Sequence, residues 1–187
     1  TSFTFKNFLH KCGFSIEYYN SVQYPLENSI IAIVKKSNNC KFLLESNLVI
    51  NEVDRAKEFV ERISYRKKKI HKKLTDISGK FGSIAIFGGG HLAVAFISIL
   101  GLHDFFSYVV DDNKNKKGMY MPIGKIPIIG SELMTNKGVS ICLLALNPKN
   151  HRSVIDNNSE FVQSGGVFLS IFPDTDNYIE DYDAWLT

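Results

Sequence analysis

The residues that most clearly indicate chemistry form the segment GGGHLA at positions 88–93. It fits the pattern G-x-G-x-x-G/A, and it stands between a run typical of a buried strand (83–87) and an apolar helix (92–100). In this pattern the first glycine, Gly88, permits a tight turn, and the second, Gly90, lets the backbone approach a phosphate. The sequence leaves two readings open, a bound nucleotide phosphate and a purely structural turn.

Acidic residues follow the next predicted strand. Asp111 and Asp112 lie 21 and 22 residues beyond Gly90, at the tip of the strand 106–110. An acid at that position accepts ribose hydroxyls in dinucleotide-binding folds. The sequence therefore predicts that both aspartates lie beside the glycine turn.

Three further positions are candidates for the same site. His91 opens the helix, either as a neutral hydrogen-bond donor to a ligand or as a partly exposed cap residue. Asn147 follows the fourth strand, at the edge where ligands bind in open α/β sheets, although Asn-Pro is also a common strand-to-helix connection. The three lysines at positions 114, 116 and 117 could contact phosphates or belong to a solvated loop.

The elements that would position these residues alternate between strand and helix from residue 81 onward. Because the predicted strands are apolar throughout, they are expected to be buried on both faces. The fold class predicted is α/β, a Rossmann-like parallel sheet with helices on both faces. The predicted strands are 83–87, 106–110, 126–129, 139–146 and 167–172, and short helices are predicted at 131–137 and 149–163.

A long amphipathic helix precedes this unit. Its apolar stripe predicts a helix that begins with Asn51 as N-cap and ends at Gly79. Such a helix would bridge two domains or pack against a second copy in a homodimer. Its basic run at 66–73 is read as a solvated face, while the acidic tail 174–187 either folds onto it or stays flexible around Trp185.

Residues 1–36 predict a short helix and an antiparallel pair of strands at 14–19 and 29–34, joined by a loop with Pro25. So small a group buries little apolar area, so it is either the edge of a neighbouring domain or an ordinary N-terminal subdomain. The predicted organisation is 1–36 as this piece, 37–80 as a connector, 81–173 as the Rossmann-like domain and 174–187 as the tail.

Composition excludes several classes of protein. The 187 residues carry a formal net charge of only +3, which does not fit a polybasic nucleic-acid binder. The apolar runs are too short for a membrane helix, and we expect a cytoplasmic protein. The cysteines at positions 12, 40 and 142 lack metal-ligand spacing, so no metal site is predicted. No catalytic triad or paired-carboxylate pattern is present, and no catalytic residue is assigned.

Longer stretches carry a family resemblance. The segments YVVDDNKNKKGMYMP at 108–122, KIPI at 125–128, LLALN at 143–147 and GGVFLSIFP at 165–173 resemble the C-terminal domain of S-adenosylmethionine-dependent sugar C-methyltransferases. Those enzymes act on deoxysugars attached to nucleoside diphosphates. The resemblance runs over residues 52–173. It departs from the family at Val94, where many members have lysine, and at ENSII (27–31), where members have Gly-Gly-Ser-Leu-Arg.

The resemblance implies that methyl transfer and substrate binding belong to different domains of the parent protein. Residues 1–14 look like the last helix and strand of the family's methyltransferase domain, so the methyl-donor loop and the Tyr/His catalytic motif would lie upstream. The parent is expected to use S-adenosylmethionine, whereas this chain binds none and is not competent alone. Its expected partners are a nucleotide-diphosphate sugar and the upstream S-adenosylmethionine-binding domain.

The leading hypothesis is therefore the substrate-side part of a bacterial-type sugar C-methyltransferase-like protein. In that family's chemistry a base removes a proton next to a keto group, and the enolate attacks the methyl sulfonium. The alternatives are a stand-alone Rossmann-like module that binds a nucleotide or serves as a scaffold, and a fragment of an NAD-dependent reductase. Here Gly88, Gly90, His91, Asp111, Asp112 and Asn147 would hold the nucleotide.

Overall fold

The computed structural model describes residues 1–23, 28–38 and 46–181. They form two compact units, Thr1–Val60 and Glu61–Thr187. The predictions for the loop at Pro25, for Cys40 and for the anchor Trp185 fall outside the described residues.

The first unit begins with a helix and two strands. Helix α1 (Ser2–Lys11) is followed by β1 (Phe14–Gln23) and β2 (Asn28–Lys36), which pair antiparallel as predicted. β1 is longer than the predicted 14–19, because the ladder continues to the pair Gln23 and Asn28. The sequence pattern stopped β1 at polar residues, but backbone pairing extends through them.

The described residues of this first unit form no buried core. None of its described residues is fully buried, and large apolar side chains are exposed on the sheet, with Ile31 at 49% and Ile33 at 58%. Tyr18 lies opposite Ile33 in the ladder and is half exposed as well. Since folding of an isolated hairpin is marginal without an apolar face to pack on, this unit needs further contacts to be stable.

The long helix α2 covers Ser46–Phe81, so both predicted ends are wrong. It begins before Asn51 because nothing at 46–50 interrupts helical backbone, and an Asn caps a helix only where the backbone leaves that conformation. Gly79 remains helical. The helix ends at Phe81 instead, because the next residue, Gly82, adopts a φ of +87° and donates its N–H to the Ser78 carbonyl at 3.2 Å.

The second unit contains a five-stranded parallel sheet with the strand order β5-β4-β3-β6-β7, which confirms the predicted fold class. Its strands are β3 (Ser83–Phe87), β4 (Phe106–Val110), β5 (Ile128–Ile129), β6 (Val139–Leu144) and β7 (Val167–Ser170). Its further helices are α3 (His91–Leu100), α4 (His151–Asn157) and α5 (Ser159–Gln163).

Two of the predicted helices take a different form. The segment predicted as a helix at 131–137 is a 3-10 turn, Ser131–Leu133, because the short connection between β5 and β6 leaves room for one tight turn. The helix predicted at 149–163 is divided between α4 and α5 at Asn158, whose side-chain amide donates to the Val154 carbonyl at 2.8 Å.

The sheet has a core on each face. In β3, Ile84 and Ile86 pack with α2 and α3, whereas Ala85 and Phe87 pack on the opposite face with α5. All four are less than 10% exposed. This explains why the strands read as continuous apolar runs rather than as alternating ones.

Only the C-terminal half of the α2 stripe is covered. Ile70, Leu74 and Ile77 are fully buried, whereas Val53 is 47% and Val60 is 60% exposed. The periodic pattern is the same in both halves, so it did not distinguish them.

The segment after β7 folds onto α2, one of the two arrangements that the sequence left open. The Glu180 carboxylate accepts from Arg66 Nε and pairs with Lys69 Nζ, each at 3.1 Å, and also accepts from the Tyr178 hydroxyl. Arg66 also donates to the Ile171 carbonyl at 3.1 Å. Burial alone would raise the pKa of Glu180, but these hydrogen bonds outweigh it and hold the pKa below the ordinary value.

Glu180→Gln is expected to lower the free energy of unfolding at neutral pH by roughly 1–2 kcal/mol, because two charge-assisted bonds to the carboxylate are lost. A depressed pKa contributes stability that is present above the unfolded pKa and lost as pH falls through the folded pKa. The gap between variant and native chain should therefore close below the ordinary glutamate value, as measured by urea unfolding at several pH values. Asp156→Asn, which breaks the exposed pair with Arg152, is the matched control and should change little at any pH.

Candidate functional site

The glycine turn connects β3 to α3 and is held by close backbone contacts. Gly88 has a φ of +102°, and its N–H donates to the Val110 carbonyl at 2.8 Å. A Cβ at this position would lie 3.1 Å from the Ala145 carbonyl oxygen, which follows β6. Gly88 therefore serves the turn itself, as the first glycine of the pattern is expected to do.

Asp111 lies directly against this turn. Its Oδ2 accepts the Gly89 N–H at 2.8 Å and the Lys116 ammonium at 2.8 Å, and its Oδ1 accepts the Asn113 N–H at 2.9 Å. Burial alone would raise the pKa of Asp111, but the bonds from Lys116, Asn113 and Gly89 outweigh it and lower the pKa. The carboxylate is thus ionised at neutral pH and fixed by protein donors.

These bonds limit what else Asp111 can do. A carboxylate has about four lone-pair sites, and three of those on Asp111 are used. Its side chain is only 12% exposed. One site remains on Oδ1, which is too few to accept both hydroxyls of a ribose. The prediction that Asp111 contacts ribose is untested, and in this geometry its main contacts are with the turn and the following loop.

Gly90 and His91 begin α3 and face open space. Gly90 is the N-cap with an extended backbone and provides no side-chain cap, and a Cβ on it would meet no atom within 4 Å. The His91 ring is exposed and makes no hydrogen bond to the described part of the chain. Backbone N–H groups in the first turn of a helix have no intrahelical acceptor and attract anions.

Asp112 and Asn147 both cap short turns. Asp112 accepts the Ser131 N–H at 2.9 Å and its hydroxyl at 3.0 Å, and thereby fixes the start of the 3-10 turn after β5. The Asn147 side-chain oxygen accepts the Lys149 N–H at 3.0 Å. Both lie after the carboxyl ends of their strands, as predicted, but the bonds they make are structural.

Strand order brings the ends of β3 and β6 together. The chain adds β4 and then β5 on one side of β3, and it returns to place β6 and β7 on the other side. In open α/β sheets, ligands bind at the carboxyl ends of the strands where the strand order reverses, which here is between β3 and β6. Gly88 lies against Ala145 and Leu146, so the glycine turn and Asn147 follow these two neighbouring strands at the same edge of the sheet.

The three lysines after β4 are placed differently, which sequence alone did not show. Lys116 pairs with Asp111 beside the glycine turn. Lys117 instead contacts both carboxylate oxygens of Glu132 at 2.9 Å, and Lys114 is exposed. The sequence could not predict that Lys116, rather than its neighbours, lies at the turn. The loop between Asp111 and Gly118 has no regular period from which the directions of its side chains could be inferred.

A groove of about 670 Å³ lies elsewhere, along β7 between α4 and the segment after Pro173. His151 lines it and is largely buried, with Nε2 3.0 Å from the Leu146 carbonyl oxygen, and burial lowers its pKa. The charged residues that also line the groove are Asp174, Asp176 and Arg152. The Arg152 guanidinium already forms an ion pair, and the two carboxylates outnumber it, so the groove favours an anionic ligand less than the glycine turn does.

Comparison with known families confirms the resemblance. The C-methyltransferase C-terminal domain family matches residues 29–173. The chain belongs to this family. The match includes the long helix, the glycine turn and the loop that carries Lys116. No curated protein matches the chain.

Solved structures align with part of this chain. Three of them are crystal structures of RSP, described as a Rex-family repressor, and two of these contain beta-NADH, or beta-NAD+ and operator DNA. They are 16%, 16% and 15% identical, with TM-scores of 0.39, 0.38 and 0.37, and each covers 51% of this chain. The chain spans about half the length of these proteins, between 48% and 50%.

The described residues contain neither a metal-binding cluster nor a membrane-spanning helix. Within 1–23, 28–38 and 46–181, no group of three or more His, Cys, Asp or Glu side chains is arranged to hold a metal ion. None of the helices in the same ranges is long and apolar enough to cross a membrane.

Proposed function

We propose that this chain is the substrate-side part of a sugar C-methyltransferase and holds the nucleoside diphosphate of a nucleotide sugar at the glycine turn. Family membership supports the enzyme class. The single observation that carries the binding role is the glycine turn at the strand-order reversal between β3 and β6, with open space at Gly90. The proposed site consists of Gly88, Gly90, His91, Asp111, Asp112 and Asn147.

These six residues have different parts in the proposed site. Gly90 and His91 present backbone N–H groups and a ring to the ligand, in the open space before α3. Gly88, Asp111 and Asp112 shape the turn and the loop around it through the hydrogen bonds described above. Asn147 borders the proposed site from the side of β6. We assign no catalytic residue to this chain.

S-adenosylmethionine, which the family implies for the parent enzyme, matches the glycine turn of this chain less well than a nucleoside diphosphate does. It carries a positively charged sulfonium and no phosphate, whereas the N–H groups at the start of α3 attract anions. We therefore propose that the methyl donor binds to an upstream domain of the parent, and that this chain transfers no methyl group alone.

The first unit supports such an upstream partner. It has no buried residue among those described, yet Ile31, Ile33 and Phe8 expose large apolar surfaces. We propose that residues 1–36 complete the methyltransferase domain and that 37–80 connect it to the Rossmann-like domain at 81–173, with the tail at 174–187. A cytoplasmic location and a homodimer through α2 stay predictions, and the mass of the parent in solution tests the homodimer.

The test is isothermal calorimetry of the 187-residue chain with UDP-glucose and dTDP-glucose. We expect measurable binding of at least one of them, and weaker binding of the matching nucleoside, because the diphosphate supplies the charge that the turn attracts. NADH serves as the third ligand. Binding of NADH alone would favour the reductase alternative, and binding of none of the three would favour the scaffold alternative; either result contradicts the proposal.

A further inference from the structure

The loop after β4 places one cation at the glycine turn, and this feature extends the function proposed above. We propose that Lys116 contacts the diphosphate of the ligand and that Asp111 is the positioning residue that holds the ammonium there. The inference rests on the proposed function, since it names the side chain that recognises the charged part of the same ligand.

The position of the ammonium is fixed by a shared oxygen. Asp111 Oδ2 accepts both the Lys116 ammonium and the Gly89 N–H, each at 2.8 Å. Lys116 Nζ is therefore no farther from the Gly89 nitrogen than twice this distance. A cation this close to the turn acts on any anion that approaches Gly90, where a side chain would meet nothing within 4 Å.

Lys116 also has donors to spare. An ammonium carries three N–H groups, and one is used by Asp111. The Lys116 side chain is 36% exposed, whereas that of Asp111 is 12% exposed. A phosphate oxygen can therefore accept from Lys116 without breaking its bond to the carboxylate.

The charges around the turn predict that removing Lys116 weakens diphosphate binding. Asp111 carries a negative charge at the turn and would repel a diphosphate if it stood alone. Lys116 neutralises this charge and adds a direct contact. Removing the Lys116 ammonium would therefore take away its attraction for the diphosphate and leave the repulsion between Asp111 and the diphosphate unbalanced. Lys117, by contrast, has its charge balanced by Glu132 and does not contact Asp111.

The experiment compares Lys116→Met with Lys116→Arg and with the matched control Lys117→Met. Calorimetry of the full 187-residue chain with UDP, dTDP, uridine, thymidine and inorganic pyrophosphate measures each affinity, and urea unfolding measures stability. We expect Lys116→Met to weaken diphosphate binding about tenfold or more, while Lys116→Arg and Lys117→Met stay within about threefold of the native chain.

The outcomes separate the two proposals. Native-like diphosphate affinity in Lys116→Met overturns the role of Lys116 but leaves the proposed function in place. An equal loss for nucleosides and diphosphates, together with lower stability, assigns Lys116 a merely structural role and also overturns the inference. Pyrophosphate binding that needs Lys116 but gains nothing from a nucleoside supports the contact and contradicts the proposed nucleotide function. Absence of binding to every ligand overturns both.

Discussion

Leu74→Ala is expected to lower the free energy of unfolding by about 3 kcal/mol. Leu74 lies on α2 and is fully buried in the core that α2 forms with α3 and the sheet. The same cluster contains Ile70, Ile77 and Ile97. Removing its side chain eliminates apolar contact and leaves a cavity that a core enclosed by two helices and a sheet cannot readily close. Urea unfolding followed by circular dichroism measures the loss, with equal m-values as the check that both chains unfold alike.

Leu48→Ala is the matched control for this prediction. It is the same substitution on the same helix, but Leu48 is 37% exposed. Its expected cost is below about 1 kcal/mol, since less apolar surface returns to water. Equal losses for the two variants would show that the two halves of the α2 stripe are covered alike, in contradiction to the burial described here.

The second large expected effect concerns the glycine turn, where substitution of Gly88 and of Gly90 should have different consequences. Gly88→Ala is expected to cost roughly 2 kcal/mol of stability, since alanine is strained at a φ of +102° and its Cβ would lie 3.1 Å from the Ala145 carbonyl oxygen. Neither the turn nor the preceding β3 strand can move away easily, because β3 is hydrogen-bonded to strands on both sides. The measurement is again urea unfolding.

Gly90→Ala should lower the affinity for the ligand and leave the stability of the chain nearly unchanged. Its φ of −116° suits any residue and its Cβ would enter open space, so the loss of stability should stay below about 1 kcal/mol, as expected at an N-cap. The methyl group would nevertheless occupy the space proposed for the phosphate, and we expect nucleoside diphosphate affinity to fall about tenfold, a change of about 1.4 kcal/mol. Unchanged affinity in a stable Gly90→Ala chain would place the ligand elsewhere.

The most accurate sequence predictions concern elements whose limits are local. The bounds of β3 and β4 match the predicted 83–87 and 106–110, because each is a mainly apolar run ended by a glycine or an aspartate. Helix α2 was predicted less well. Its ends depend on where the backbone departs from helical angles, and neither Asn51 nor Gly79 causes that departure.

In the candidate site, too, local features were predictable from the sequence and contacts between distant residues were not. The motif pattern located Gly88, Gly90 and Asp111, and the structure places all three at the same turn. The partners of Asp111 could not be predicted, because its bond to Gly89 joins residues 22 positions apart and its bond to Lys116 depends on the path of an irregular loop. The limited capacity of Asp111 for a ribose follows only from counting those bonds.

The sequence by itself indicated the family, because its motifs resemble those of known members. It also determined the alternation of strands and helices and the burial of the sheet on both faces, because these depend on local composition and periodicity. Only the tertiary structure decided which strands are neighbours, and thereby that the strand order reverses between β3 and β6 at the glycine turn. It also selected Lys116 from three lysines and covered one half of α2 while the other stayed exposed. The physical reason is that these features arise from contacts between residues distant in the chain, which no spacing along the sequence specifies.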